Sequence, residues 1–331
     1  MKYAHFHQNV SENGAKYAIR YIKETKMIEK ENVYPKASIP NNNMISQYFR
    51  TFVYYAKARS NVYIFAFATM ISLILGTHAN LDPIITAKAV TASYFLALGA
   101  YVYNDITDFE VDKINKTNRP SVTGKATKSQ LVNLVSFLFG FSMLLTASIN
   151  FYSIFISVFF TLLGITYSHQ RFNLKNKFPL KTVTTASGAA LLSLLGGTAV
   201  TNISLPIIYA ALFFFAFFFI LGPLGDIGDL KGDRAGGRRT FPIVIGMKPT
   251  LMVMLSVPIL ILLITLLTHI IVHFNNKMFG IYPIVGTSMA TLALLLYISK
   301  RLNDVSVIKS MRPKMRYLHV LMQISLLLAF L

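Results

Sequence analysis

Nine apolar runs recur along this 331-residue chain, at 61–77, 84–103, 130–149, 151–167, 182–200, 203–224, 250–272, 279–298 and 316–331. Each is close to the roughly 20 residues that a helix needs to cross a bilayer. In hydrocarbon a helix satisfies its own backbone hydrogen bonds, which an irregular chain does not. The pattern predicts an all-α polytopic membrane protein with about nine transmembrane helices. Basic residues give the bundle a direction. The segment up to Arg59 holds 10 Lys and Arg, and the connections around 104–129, 168–181, 225–249 and 299–316 hold 5, 4, 5 and 6. The alternate connections hold only Lys277. Lys88 lies inside a span, near enough to its outer end to snorkel. Thirty of the 32 cations thus share one side, which the positive-inside rule makes cytoplasmic. The N-terminus is then inside and the C-terminus outside.

Residues 1–43 read as a polar cytoplasmic tail, either a short amphipathic helix on the membrane or a disordered arm. Residues 44–331 form the membrane-embedded domain, with 44–59 lying along the interface before the first span. The formal charge of +19 would suit nucleic acid, but 54% hydrophobic residues make membrane lipid the partner instead. The chain has no cysteine, so disulfides and thiolate metal sites are excluded.

Acidic residues are scarce, and their placement is the chemical signal. Of 13 in the chain, seven lie in two stretches: Asp105, Asp108, Glu110 and Asp112, then Asp226, Asp229 and Asp233. Both stretches have the form D-x2-D-x3-D, and 121 residues separate their first aspartates. On a helix, positions i, i+3 and i+7 fall within a sector of about 60°, so each stretch would present three carboxylates on one face. Like charges so placed repel unless a cation sits among them. Mg2+ bridging to a phosphate-bearing substrate fits, since it takes one or two carboxylates and completes its shell with water and phosphate oxygens. The bland alternative is a set of solvated, helix-capping carboxylates. Both motifs follow spans that end on the cytoplasmic side, so a cavity between them opens there. Four spans separate them, a hint of two similar halves. A transporter with cytoplasmic acidic gates is the rival class, but it would be expected to carry midplane acids, and no Asp or Glu falls inside a span. A CDP-alcohol phosphotransferase would need a D-G-x2-A-R segment before its D-x3-D, which this chain lacks.

The run NDITDFEVDKINKTNRP resembles the first signature of the UbiA superfamily of intramembrane prenyltransferases, and DIGDLKGDRAGGRRTFPIVIG resembles its second. Tyr167-Ser168 followed by Leu174-Lys175 is similar to the family's Y-S-x5-L-K connection. The resemblance covers roughly residues 45–331. It implies that Asp105, Asp108, Asp112, Asp226, Asp229 and Asp233 bind Mg2+ and an allylic prenyl diphosphate. Asn104 would orient the first carboxylate or coordinate metal, and Lys175 and Arg119 would contact the diphosphate. Arg59 and Asn61 open the first span, where the family places acceptor-binding residues. Arg238 and Arg239 are candidate phosphate ligands, with topology signalling as the alternative. Tyr101, Tyr103 and Tyr167 offer π-faces to a carbocation. His169 reads as a loop histidine, and the run from Phe213 to Phe219 as packing or the wall of an isoprenoid tunnel. Gly222, Pro223, Gly225 and Gly228 suggest that the sixth span is broken or kinked, and Gly232, Gly236 and Gly237 a pliable loop after it. The acceptor is lipophilic. The N-R-P and G-D-R…T-x-P features look most like the archaeal glycerolipid and chlorophyll-synthase branches. They point to the hydroxyl of geranylgeranylglyceryl phosphate, with an aromatic acceptor as the alternative. Ser121-Val122-Thr123-Gly124-Lys125 departs from the usual I-P-S-G-R of those branches.

Overall fold

The computed structural model describes residues 44–114, 118–272 and 280–330, and all regular elements among these residues are helices. The tail assigned to 1–43, and Lys277, lie outside the described residues. The elements are α1 (Met44–Ala58), a 3-10 turn Ser60–Val62 leading into α2 (Tyr63–Thr77), α3 (Pro83–Thr107), the short α4 (Phe109–Ile114), α5 (Lys128–Ala147) and α6 (Phe151–Ser168). There follow α7 (Leu180–Ala199), α8 (Leu205–Gly228), the short α9 (Leu230–Ala235) and α10 (Phe241–Val244), then α11 (Met247–Val272), α12 (Tyr282–Ser299) and α13 (Val305–Phe330).

Local chemistry starts the long helices where expected. Asp82 caps α3, accepting from the amides of Ile84 and Ile85, and Pro83 occupies the first turn. Thr127 and Gln130 form a capping box on α5, and Asn150 caps α6. Lys88 reaches the Ser148 carbonyl at 3.4 Å.

Seven helices among the described residues are long and apolar enough to cross a membrane. The remaining two long helices, α7 and α13, are more polar for distinct reasons. Helix α7 sits at the centre of the bundle, against α2, α3, α6 and α8. Its Gly, Thr and Ser residues permit close, hydrogen-bonded packing that bulky apolar ones would prevent. Thr69 Oγ1 donates to the Leu192 carbonyl at 2.6 Å, and Ser72 and Ser193 pair at 2.9 Å. A Cβ on Gly196 would meet the Thr69 carbonyl oxygen at 2.2 Å. Helix α13 begins at Val305, eleven residues before the apolar run at 316, because its first turns carry Arg312 and Arg316 into the bundle.

The sixth span, α8, breaks at Asp229, inside the second triad, and not at its proline. It runs unbroken through Gly222, Pro223 and Gly225 to Gly228, buried against α7, α13 and α11. Membrane helices tolerate such a proline when neighbours satisfy the carbonyl it leaves. Phe213, Phe214, Phe217 and Phe218 are buried, as a packing role requires, and Phe217 stacks on His319 at 4.5 Å.

Candidate active site

Both acidic motifs sit where a long helix gives way to a short one. Helix α3 ends at Thr107; Asp108 adopts φ −99°, ψ 8°, and the six-residue α4 carries Asp112. Helix α8 ends at Gly228; Asp229 adopts φ −110°, ψ 13°, and the six-residue α9 carries Asp233. The hydrogen bonds match as well: Asp108 N to Asn104 O and Asp112 N to Asp108 O, both 2.8 Å, against Asp229 N to Gly225 O at 3.1 Å and Asp233 N to Asp229 O at 3.0 Å. The two motifs are one local structure built twice. The expectation of three carboxylates on one straight helix face is corrected. Each triad wraps a helix break, which relieves the like-charge crowding a straight helix would impose.

The triads converge. Gly236, after α9, lies so close to α4 that a Cβ there would be 2.8 Å from Val111 Cγ2. Arg238 then forks between the motifs, with Nη2 2.5 Å from Asp108 Oδ2 and Nη1 3.1 Å from Asp233 Oδ1. Lys175 Nζ lies 2.6 Å from Asp108 Oδ1 and donates to Thr107 Oγ1. Arg59 pairs with Asp105, which is fully buried, and Arg119 Nε stands 3.9 Å from the same carboxylate. Asn104 donates to Asp108 at 2.9 Å and accepts from Ser168, so it orients the second carboxylate of its motif and not the first. Tyr101 faces the Arg59 guanidinium at 4.8 Å and accepts from Asn61 at 3.5 Å.

Two placements were not anticipated. Lys181 lies 2.5 Å from Asp226 and 3.6 Å from Asp233, and Arg312 lies 3.1 Å from Asp229. In the sequence both read as topology cations, and no spacing distinguishes them. Conversely, Arg239 is exposed and enters none of these ion pairs. Tyr103, two residues from Tyr101, falls on another face of α3 and lines neither cavity below.

Burial and charge compete in the site. Burial alone would raise Asp108, but Arg238 and Lys175 outweigh it and hold its carboxyl below the usual range. Burial pushes Asp112 up, against the pull of Arg119 and Arg59. Burial lowers Lys175, with Asp108 opposing.

A polar chamber of about 400 Å3 is lined by Arg59, Asn61, Arg119, Lys181, Asp229 and Arg312, among others. An apolar cavity of about 140 Å3 adjoins it, running from Asn104 past Ala97, Phe160, Leu163, Gly164 and Gly188. Phe65, Tyr101, Tyr167, Thr185 and Phe218 wall both. Charged groups and a greasy slot therefore meet at a set of aromatic rings.

A sequence profile described as the UbiA prenyltransferase family matches residues 65–320. The chain belongs to the UbiA prenyltransferase family. As a UbiA protein it is an integral membrane enzyme of the prenyltransferase class. It is 28% identical over 259 residues to a digeranylgeranylglyceryl phosphate synthase of Sulfurisphaera tokodaii, covering 76% of this chain and 87% of that one. It is 27% identical to a synthase of the same name from Methanosphaera stadtmanae, covering 80% and 90%. Among solved structures, one described as a digeranylgeranylglyceryl phosphate synthase superposes with a TM-score of 0.64 at 17% identity, over 86% of this chain and 98% of that chain. A UbiA homolog from Archaeoglobus fulgidus bound to DMAPP and Mg2+ superposes at 0.59 and 16% identity, over 84% and 99%.

The carboxylates of this UbiA site suit Mg2+. Asp112 Oδ2, Asp226 Oδ2 and Asp233 Oδ2 are buried without hydrogen-bond partners, and a hard cation satisfies such oxygens. Among the described residues no three carboxylates form a cage on their own.

Proposed function

We propose that this chain transfers a prenyl group from an allylic diphosphate to the hydroxyl of geranylgeranylglyceryl phosphate, forming an ether bond of an archaeal-type membrane lipid. The observation that carries the reading is the single guanidinium of Arg238 touching both triads, which makes them one phosphate-sized, carboxylate-rich site. The names of the Sulfurisphaera and Methanosphaera relatives support the acceptor, and the ligands of the Archaeoglobus homolog support the donor and Mg2+.

Asp105, Asp108, Asp112, Asp226, Asp229 and Asp233 hold Mg2+, which when bound neutralises the diphosphate and makes it a better leaving group. Lys175 and Arg238 supply further donors to its oxygens. The prenyl chain lies in the apolar cavity. Tyr101, Tyr167 and Phe218 surround the allylic carbon and attract the charge that develops there. The carbon–oxygen bond to diphosphate breaks with its electron pair leaving on the diphosphate, and the acceptor oxygen bonds to that carbon. The hydroxyl proton passes to Asp229, the motif carboxylate that lines the polar chamber. Tight aromatic walls keep water from the cation. The distribution of cations supports a site that faces the cytoplasm.

Purified protein with radiolabelled geranylgeranyl diphosphate and Mg2+ should release diphosphate and form a diether product with geranylgeranylglyceryl phosphate. Turnover with aromatic acid or quinone-precursor acceptors, and none with the glycerolipid, would sink the acceptor reading. Movement of substrate across vesicles without bond formation would sink the enzyme.

A further inference from the structure

The polar chamber has a basic wall whose donors the triads use only in part. Arg312 and Arg316 are four residues apart on α13, hence on one face, and both line the chamber. Arg312 is held in place: its Nη2 donates to the Gly225 carbonyl and lies 3.1 Å from Asp229 Oδ2, while its Nε is buried without a partner. Gly228 makes room for it, since a Cβ there would come within 2.2 Å of Arg312 Nη2. Arg316, one turn on, enters none of the ion pairs among the described residues. Arg119 lines the same chamber with its Nε also lacking a hydrogen bond, its carboxylate neighbour standing off at 3.9 Å. The other cations are engaged: Arg59 with Asp105, Lys181 with Asp226 and Asp233. Lys175 and Arg238, the donors nearest Asp108, do not line this chamber.

Buried guanidinium donors without acceptors are costly, and an anion offering several oxygens removes that cost. The forked guanidinium suits phosphate in particular. The same chamber carries Ile64, Phe65, Leu221 and Leu224, so an anion held there would bring a lipid chain with it. We propose that Arg312 and Arg316, with Arg119, form a second anion subsite that takes the phosphate monoester of a lipid acceptor, apart from the donor diphosphate. The inference rests on the acceptor reading above. It adds that this wall selects for the phosphate and, through the Arg312–Asp229 pair, sets the acceptor hydroxyl beside its base.

The full chain in detergent is titrated, without Mg2+ or donor, with geranylgeranylglyceryl phosphate, with geranylgeranylglycerol, and with inorganic phosphate. Steady-state kinetics on both substrates follow. The wild type should bind the phosphorylated lipid about tenfold or more tightly than the alcohol, the range expected of charge-assisted contacts to one group. Inorganic phosphate should compete weakly. Arg316→Gln should lose most of that preference and raise acceptor KM about tenfold, with kcat and donor KM within about twofold. Arg316→Lys should recover part. Lys314→Gln, exposed on the same helix, should change nothing. If the wild type prefers the phosphorylated lipid and Arg316→Gln prefers it as strongly, the subsite is wrong and the acceptor reading stands. A wild type without preference overturns both. An equal rise in donor KM assigns Arg316 to the diphosphate and overturns the subsite, as does inorganic phosphate binding as tightly as the lipid.

Discussion

Replacing Arg238 with Gln removes the guanidinium shared by Asp108 and Asp233, whose side chains are 7% and 1% exposed. Taking one partner from a buried ion pair costs about 3–5 kcal/mol, because the remaining charge stays desolvated. Here Asp108 keeps Lys175 at 2.6 Å and Asp233 keeps Lys181 at 3.6 Å, which places the loss at the lower end, about 3 kcal/mol. For a chain this long that is an unfolding temperature lower by roughly 5 °C in chelator. Mg2+ should then close the gap. In the wild type the metal must displace Arg238 from two carboxylates, whereas in the variant it meets them uncompensated. At saturating Mg2+ the gap narrows by RT ln of the ratio of the two dissociation constants, so a site that binds the metal about a hundredfold more tightly in the variant recovers about 2.7 kcal/mol, nearly the whole deficit. The assay is thermal unfolding of both proteins at one scan rate, in chelator and in a Mg2+ series. A gap that stays constant across the series would refute a shared site, since the cations and the metal would not be meeting the same oxygens.

Asp105→Asn and Asp229→Asn should both abolish turnover but differ in stability. The first strands Arg59 and Arg119 in the interior at about 3–5 kcal/mol, and the second, 37% exposed, costs under about 1 kcal/mol; melting curves separate them. Gly188→Leu fills the apolar cavity beside Phe160, so kcat/KM for a geranylgeranyl donor should fall at least tenfold relative to a dimethylallyl donor. Equal losses would move the prenyl chain elsewhere. Asp108, held below the usual carboxylate range, stabilises the metal-free fold above its unfolded-state value. That contribution disappears as pH falls through the lowered value, so Asp108→Asn should flatten the loss of stability below about pH 4.

Apolar runs placed the long helices, α7 included, since the run at 182–200 matches Leu180–Ala199; they missed only the early start of α13, and hydropathy alone did not separate helices that answer to protein from those that answer to lipid. Helix α7 is long enough to span but is rich in Gly, Ser and Thr, because it packs on four neighbours. The first turns of α13 read as a charged connection because Arg312 and Arg316 face a polar chamber. The spacing D-x2-D-x3-D survives a bend at its middle residue, so it disclosed the triads without disclosing the breaks. Lys181 and Arg312 were hidden because membrane topology gives a cation in a connection a reason to exist whether or not it touches a carboxylate.

Arg238 and Arg239 are neighbours of identical chemistry, and the backbone before them decides which one enters the site. Arg238 N donates to Asp233 O at 2.9 Å and Gly237 N to Arg234 O at 3.2 Å, with Gly237 at φ +67°. That is a Schellman cap ending α9, with Gly237 in the left-handed position that a side chain disfavours. Such a cap brings the residue after the glycine over the residue four before it, and an apolar contact normally joins them. Here the two are Arg238 and Asp233, and an ion pair replaces that contact. The glycines that read as a pliable loop are thus better explained as fixed geometry, Gly236 admitting Val111 and Gly237 turning the chain. An aspartate four residues ahead of a helix-ending glycine, with arginine immediately after it, is the feature that tells Arg238 from Arg239.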